Sequence, residues 1–278
     1  MLCLLLDVSR SAYYAWLKRK PSRRRLADQA ILRELIRLHQ LYPALGLDSL
    51  YQMLKPEFHC SRKRIWRLMK QANIHSARSR TYKRTTNSNH ANPIAPNLLG
   101  RHFKFAKLNQ AWVGDITYIP TGEGWLYLAI VKDLCSRKVV GYAFGDRIDT
   151  QLTLAALEMA VRRQKPKPGL IFHSDRGVQY ASLAYRQVLE RYGIMQSMSR
   201  KGDPYDNAVA ENFFSCLKSE CVYLRCFATR SVAKTAVFRY IEAFYNLVRP
   251  HSGIGWLSPI AFENSIRANF KVNLRNSA

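Results

Sequence analysis

Three carboxylates stand where a carboxylate is an awkward choice. Asp115 lies inside AWVGDITYIP, and among Val113, Ile116 and Tyr118 its charge is costly unless something charged meets it. Asp175 closes a second apolar run, LIFHSD, and Arg176-Gly177 opens the turn beyond it. Glu211 stands in DPYDNAVAENFFSCLK, whose periodicity is helical. At about 100° per residue, Lys218 falls roughly 20° from Glu211, with Asn207 on the same side. Val209, Phe213, Cys216 and Leu217 fall opposite, as a buried stripe. If the two strands are neighbours and the helix packs over them, the three carboxylates converge. Such hard oxygen donors suit Mg²⁺ or Mn²⁺ rather than zinc. Two ions about 3.5–4 Å apart would hold the attacking and leaving oxygens of a phosphodiester. Taken singly, each acid has a plainer account: Asp175 as a turn cap, Asp115 as the partner of an arginine, Glu211 as a solvated side chain.

Other residues border this set. His173 and Arg176 flank Asp175 and are candidates for phosphate contact, with a structural role for His173 equally open. Gln179 and Tyr180 either touch a ligand or order the loop, and Gly177 serves a backbone need. Asn207 either supports Glu211 or caps the helix. Arg200 and Lys201 sit in the polar loop SRKGDPYDN and are candidate phosphate contacts. Asp133 and Asp149 read as structural. Arg249 and His251, in RPHSG, carry no chemistry that their spacing reveals.

The elements that must position these residues change character along the chain. From residue 111, AWVGDITYIP, WLYLAIVKDL and RKVVGYAFGD are β-branched and aromatic runs, the first two joined by a tight TGEG turn. A helix over 150–164, the strand LIFHSD, a helix over 181–192, a short strand at MQSMS and the Glu211 helix follow. Three antiparallel strands and then alternating helix and strand describe an α/β mixed sheet with helices on both faces. Before it, residues 1–75 read as small helices, with Ser9 or Ser11 capping SAYYAWLKRK and an amphipathic helix over 22–41. LDSLYQML, a break at Lys55-Pro56, and SRKRIWRLMKQAN capped by Ser61 complete the set. In the last helix Ile65, Leu68 and Met69 turn inward, and Arg62, Lys63, Arg67 and Lys70 stay outside. A helix pair with a densely basic second member has the shape of a helix-turn-helix reader; a solvated helical packing unit is the alternative. Residues 76–104 read as a basic Asn/Pro-rich linker, 105–267 as the catalytic-sized core and 268–278 as a tail.

Charge agrees with a polyanionic partner. The 278 residues carry a formal net charge of +25, and residues 1–110 hold 22 basic side chains against 5 acidic ones. This points to nucleic acid through counterion release. No long helix pairs a basic face with a Trp or Leu face, which argues against a membrane surface. The opening MLCLLLDVSR lacks the basic start and cleavage site of a signal peptide, and no run is long enough to span a bilayer. The six cysteines form no CxxC, so they read as reduced structural thiols of a cytoplasmic protein.

Between Asp115 and Asp175 lie 59 residues, and between Asp175 and Glu211 lie 35. With the words WVGDITYI, FHSDRGVQY and DNAVAENFFSCLK, this resembles the D,D-35-E transposases and retroviral integrases. It is most similar to the second-reading-frame product of bacterial insertion-sequence transposases of family three. SRSAYYAW, SRKRIWRLMK, HANPIAPN and YNLVRPHSGIGWLSPIAFE extend the likeness over nearly the whole chain. The resemblance implies a ribonuclease-H-like core, with Asp115, Asp175 and Glu211 as metal-binding triad and Lys218 as a DNA contact. It implies water-driven strand cleavage, then attack by the freed 3′-hydroxyl, without a covalent protein–DNA intermediate and by way of a circular product. Its implied partners are the element's terminal inverted repeats, target DNA, further copies of the chain on DNA, and the product of an upstream frame joined by frameshift. No sustained heptad run appears in this sequence, and Met1 leads straight into an apolar helix, so the chain is expected to begin inside a longer natural product. A non-catalytic DNA-binding regulator of the same element and a general ribonuclease-H-like nuclease are the alternative readings.

Overall fold

The computed structural model describes residues 2–78, 93–200 and 207–276. They form two compact units, Met1–Ser76 and Ala77–Ala278.

The first unit is all helical: α1 (Leu2–Leu5), α2 (Arg10–Lys18), α3 (Arg23–Leu41), α4 (Leu47–Phe58) and α5 (Arg62–Gln71). Ser9, Ser22 and Ser61 cap α2, α3 and α5 by accepting from the N–H groups of Ala12, Arg25 and Arg64. Ile31, Leu35 and Leu38 of α3, Leu50 and Leu54 of α4, and Ile65, Leu68 and Met69 of α5 are buried. The break expected at Lys55-Pro56 does not occur. Pro56 lies in the last turn of α4, which ends two residues later at Phe58; His59 then turns left-handed at φ 45° and its N–H bonds the Lys55 carbonyl. Pro56 withholds the N–H that would bond the Gln52 carbonyl, but only Glu57 and Phe58 continue the helix beyond it.

The second unit is built on a mixed five-stranded sheet in the order β3-β2-β1-β4-β5. The strands are β1 (Ala111–Thr121), β2 (Gly124–Asp133), β3 (Val139–Gly145), β4 (Ile171–Ser174) and β5 (Met195–Met198). β1, β2 and β3 pair antiparallel, while β4 runs parallel to β1 and to β5. α6 (Thr150–Gln164), capped by Asp149, packs on β2 and β3, followed by α7 (Val178–Ala181) and α8 (Leu183–Arg191). Across the sheet lie α9 (Ala208–Leu217) and α10 (Arg230–Arg239) over β1, and α11 (Pro259–Asn276) ends the described chain. This is the ribonuclease-H-like mixed sheet with helices on both faces.

Strand alternation sorts the core. Trp112, Ala129, Val131 and Phe172 pack with Leu157 and Ala160 of α6. Ala111 and Val113 pack with Ala210 of α9 on the opposite face. At each edge of the sheet, backbone groups are taken by other parts of the chain. The Asn246 amide accepts from the Val139 N–H at 3.0 Å and donates to the Val139 carbonyl at 3.0 Å, bonding both polar groups of β3's first residue. On the other edge, Met198 N–H bonds the Pro96 carbonyl, and the Ser197 hydroxyl accepts from Leu98 N–H at 2.9 Å.

α6 sits very close to β3 at Gly141. A Cβ there would meet the Ala160 backbone N at 2.7 Å and the Ala160 Cβ at 2.8 Å, and would strike the Ala156 carbonyl oxygen as well. Gly141→Ala is therefore expected to destabilise the unit by about 2–3 kcal/mol, read as a lower midpoint in urea unfolding.

Candidate active site

The parallel pairing of β1 with β4 brings two of the acids together. Val113 is the partner of His173. Two residues further on come Asp115, inside β1 on the face where Val113 packs against α9, and Asp175, directly after the last residue of β4. Both are half-buried. Asp115 Oδ1 accepts from the Ile116 N–H at 2.8 Å, and Asp175 Oδ1 accepts from the Gly177 N–H at 2.9 Å, which shapes the turn after β4. Glu211, in the first turn of α9, is exposed on the helix that lies over β1.

The charges are coupled. Burial first, and then the Asp175 charge, pushes the Asp115 carboxyl well above its ordinary pKa; Glu211 adds to this, and the Ile116 N–H and Lys218 oppose it. Burial also raises Glu211. Lys218, at the end of α9, is half-buried with Nζ 4.8 Å from the centre of the Tyr118 ring; burial lowers its pKa and Asp115 holds it up. Asp115 is thus the electrostatic centre of the group. Among the described residues no three His, Cys, Asp or Glu side chains stand close enough to share a metal ion in this conformation. The donor set nonetheless fits a hard divalent cation: carboxylate oxygens only, mutually repelling, with the exposed Glu211 able to change rotamer. One turn before Glu211, the buried Asn207 Oδ1 has no hydrogen-bond partner among the described residues, a second oxygen left unsatisfied.

The other candidates fall differently. His173 is wholly buried, with Nδ1 2.8 Å from the Ser197 hydroxyl and Nε2 3.1 Å from that of Ser199, so its ring faces the core and offers no surface to a phosphate. Arg176 is half-buried and donates through Nε to the Ser199 carbonyl at 2.7 Å. Tyr180 is buried against Phe172 and Tyr185. Asn207 stands at the N-cap of α9 but makes no capping bond through its side chain. Lys201 lies outside the described residues, and Arg200 is exposed. In the helical unit Arg62, Lys63, Arg67 and Lys70 are all exposed on α5.

A buried polar layer behind α9 was not anticipated. Arg249 grips Glu220 with both arms, Nε to Oε2 at 2.8 Å and Nη2 to Oε1 at 2.7 Å, and Tyr240 donates to the same carboxylate at 2.8 Å. This ties down the π-helical turn Lys218–Val222 that carries Lys218. His251 packs edge-on to Tyr245, and burial, with Arg249 and Lys132 nearby, holds its pKa well below the ordinary value. Lys132 is 2 % exposed, donates to the Val209 carbonyl of α9 at 3.4 Å, and has Nζ 5.9 Å from the Phe213 ring centre and 5.5 Å from that of Tyr245. A lysine inside the apolar run LAIVKDL was the one visible signal of this layer.

Integrase core domain models match residues 106–204 and 192–259. The transposase InsF of insertion sequence IS3A from Escherichia coli (strain K12) is 38% identical over 95% of this chain and 93% of its own. The chain belongs to the IS3 transposase family. An insertion element IS600 uncharacterized 31 kDa protein from Shigella sonnei is 43% identical to this transposase chain over 94% of it and 97% of its own length. Among solved structures, the simian T-cell lymphotropic virus intasome in complex with the PP2A regulatory subunit B56 gamma is 16% identical, with a TM-score of 0.49, covering 76% of this chain and 73% of that one. Among the described residues of the transposase, no helix is long and apolar enough to cross a membrane.

Two stability tests follow from the buried charges. Burial, with Arg137 and Arg249 nearby, lowers Lys132 to a pKa of about 7. A folded-state pKa below the unfolded one means the unfolded chain binds more protons between these values, so the charge penalises folding fully below pH 7 and less as pH rises. Lys132→Met should therefore be more stable than wild type at pH 6 by about 1–3 kcal/mol, the gap narrowing towards pH 10 in denaturant titrations. Asp115 has the opposite shift: its penalty is absent below the ordinary carboxylate pKa and grows as pH rises through the raised value. Asp115→Asn should raise the melting temperature of the metal-free protein at pH 8 and leave it unchanged near pH 3.

Proposed function

We propose that Asp115, Asp175 and Glu211 bind divalent metal, Mg²⁺ or Mn²⁺ and two ions per site, and that the chain cuts and joins DNA at the ends of its insertion sequence. The single observation that carries this reading is the parallel register of β1 and β4. It sets the two aspartates side by side on the face covered by α9, where Asp115 responds to Asp175, Glu211 and Lys218 together.

When bound, the metal supplies positive charge that offsets the carboxylates and makes an attacking oxygen nucleophilic near neutral pH. The chain's own residues do the rest. Asp115 and Asp175 are fixed donors on neighbouring strands, and Glu211 closes on them by a side-chain rotation at the start of α9. Lys218 lies on the same side of the site, where its ammonium takes a non-bridging phosphate oxygen and holds the strand against the acids. Asn207, with its unsatisfied amide oxygen, supports Glu211. The same site serves both reactions, attack by water and then attack by the freed 3′-hydroxyl, because each replaces one oxygen on phosphorus by another. No protein nucleophile is required. The helical unit would bind DNA through the basic outer face of α5, and assembly of several copies on the two element ends would pair the sites.

The test is strand transfer with Mg²⁺ on terminal-repeat duplex, read beside Mn²⁺ binding followed by thermal shift. Asp175→Asn and Glu211→Gln are expected to lose about a thousandfold or more in joining and to lose the metal-induced rise in melting temperature, while still binding the duplex. Joining by Asp175→Asn at the wild-type rate would defeat the catalytic reading and leave a DNA-binding regulator of the element.

A further inference from the structure

The outer face of α5 is not uniform. At about 100° per residue, Arg62, Trp66, Lys70, Lys63 and Arg67 follow one another across about 140° of the helix. The two arginines at the margins are tied to neighbouring helices. Arg62 Nε donates to Asp48 of α4 at 2.6 Å, and Arg67 Nη2 donates to Asp28 of α3 at 2.7 Å; Asp28 also holds Arg64. Between them Trp66 is 51% exposed, and Lys70 Nζ lies 4.5 Å from the centre of its ring system. Lys63 is exposed too, and no carboxylate among the described residues pairs with Lys63 or Lys70.

At the foot of the same helix, Arg23, Arg24, Ser61, Lys63, Arg64 and Arg67 line an open cleft between the first turns of α3 and α5. Neither first turn contains an acidic residue. The cleft is suited to an anion, while the face above it is suited to something that is both flat and negatively charged. An indole with an ammonium over it presents apolar area, an N–H donor and positive charge together. Base edges in the DNA major groove offer methyl groups and hydrogen-bond acceptors in a negative field. An arginine already neutralised by a carboxylate releases few counterions on binding a polyanion.

We infer that Trp66 is the residue through which the helical unit discriminates DNA sequence. α5 lies in the major groove with Trp66 and Lys70 on base edges. Arg23, Arg24 and Lys63 hold an adjoining backbone phosphate, and Arg62 and Arg67 brace α5 on α4 and α3 instead of touching DNA. The inference rests on the proposed reading that this unit binds duplex DNA, and it divides work among side chains that the sequence alone treats as alike.

The experiment measures binding of the full chain, by fluorescence anisotropy over a salt series, to a terminal-repeat duplex and to a shuffled duplex of equal composition. Trp66→Ala should reduce the preference for the repeat about tenfold and leave the salt slope unchanged. Lys63→Ala should lower the slope by about one and keep the preference. Arg62→Ala should leave slope and preference at their wild-type values. A wild-type preference in Trp66→Ala, or a slope lost equally in Arg62→Ala and Lys63→Ala, overturns the inference. So does a wild-type chain that binds both duplexes equally. Each of these outcomes is independent of whether the carboxylate variants lose strand transfer, which tests the catalytic reading alone.

Discussion

The side-by-side pairing of β1 and β4 is the constraint on which the remainder of the second unit turns. Parallel strands need a long crossover between them, and here it consists of β2, β3 and α6. That crossover covers one face of the sheet with α6 and leaves the other to α9 and α10. Asp115 then lies within β1, and Asp175 directly follows the last residue of β4, at the carboxyl end where α/β sheets gather ligands. Two anions so placed repel each other, and burial makes the repulsion stronger. The fold tolerates this because Phe172, Trp112 and the α6 layer bury apolar surface on one side of the strands while Val113 and Ala210 do so on the other.

The arrangement behind α9 answers a different demand. A helix with an exposed acid in its first turn and a half-buried lysine at its end is held here from the opposite side. Phe213, Cys216 and Leu217 supply the apolar part of that hold. The bidentate Arg249–Glu220 pair and the Lys132 bond to the Val209 carbonyl supply the polar part. A buried ion pair such as Arg249–Glu220 contributes little net stability, yet removing one of its members is costly. Its effect is to fix where the helix lies.

Much of this was legible in the chain. Strand alternation in β1 and β2, the TGEG turn, the serine caps and the inward stripe of α5 all follow from local rules that tertiary packing did not override. The two aspartates were recognisable because each sat at odds with its apolar neighbours. Helix continuation through Pro56 was not legible, since it depends on how close the helix already is to its end. His173 was misleading for a related reason: two residues before Asp175, it is buried within β4, where both ring nitrogens meet serine hydroxyls of Ser197 and Ser199. Asn246, Arg249 and Lys132 find their partners far along the chain, 107 residues away for Asn246 and 77 for Lys132, and no local pattern announces such distances.

The Asn246 amide has a further meaning. An outer strand whose first residue has both polar groups taken by a side chain cannot begin a ladder with a passing chain. At the far margin the segment around Pro96 and Leu98 occupies β5 in the same manner. At these positions a further strand would first have to displace a side chain on one margin and a loop on the other.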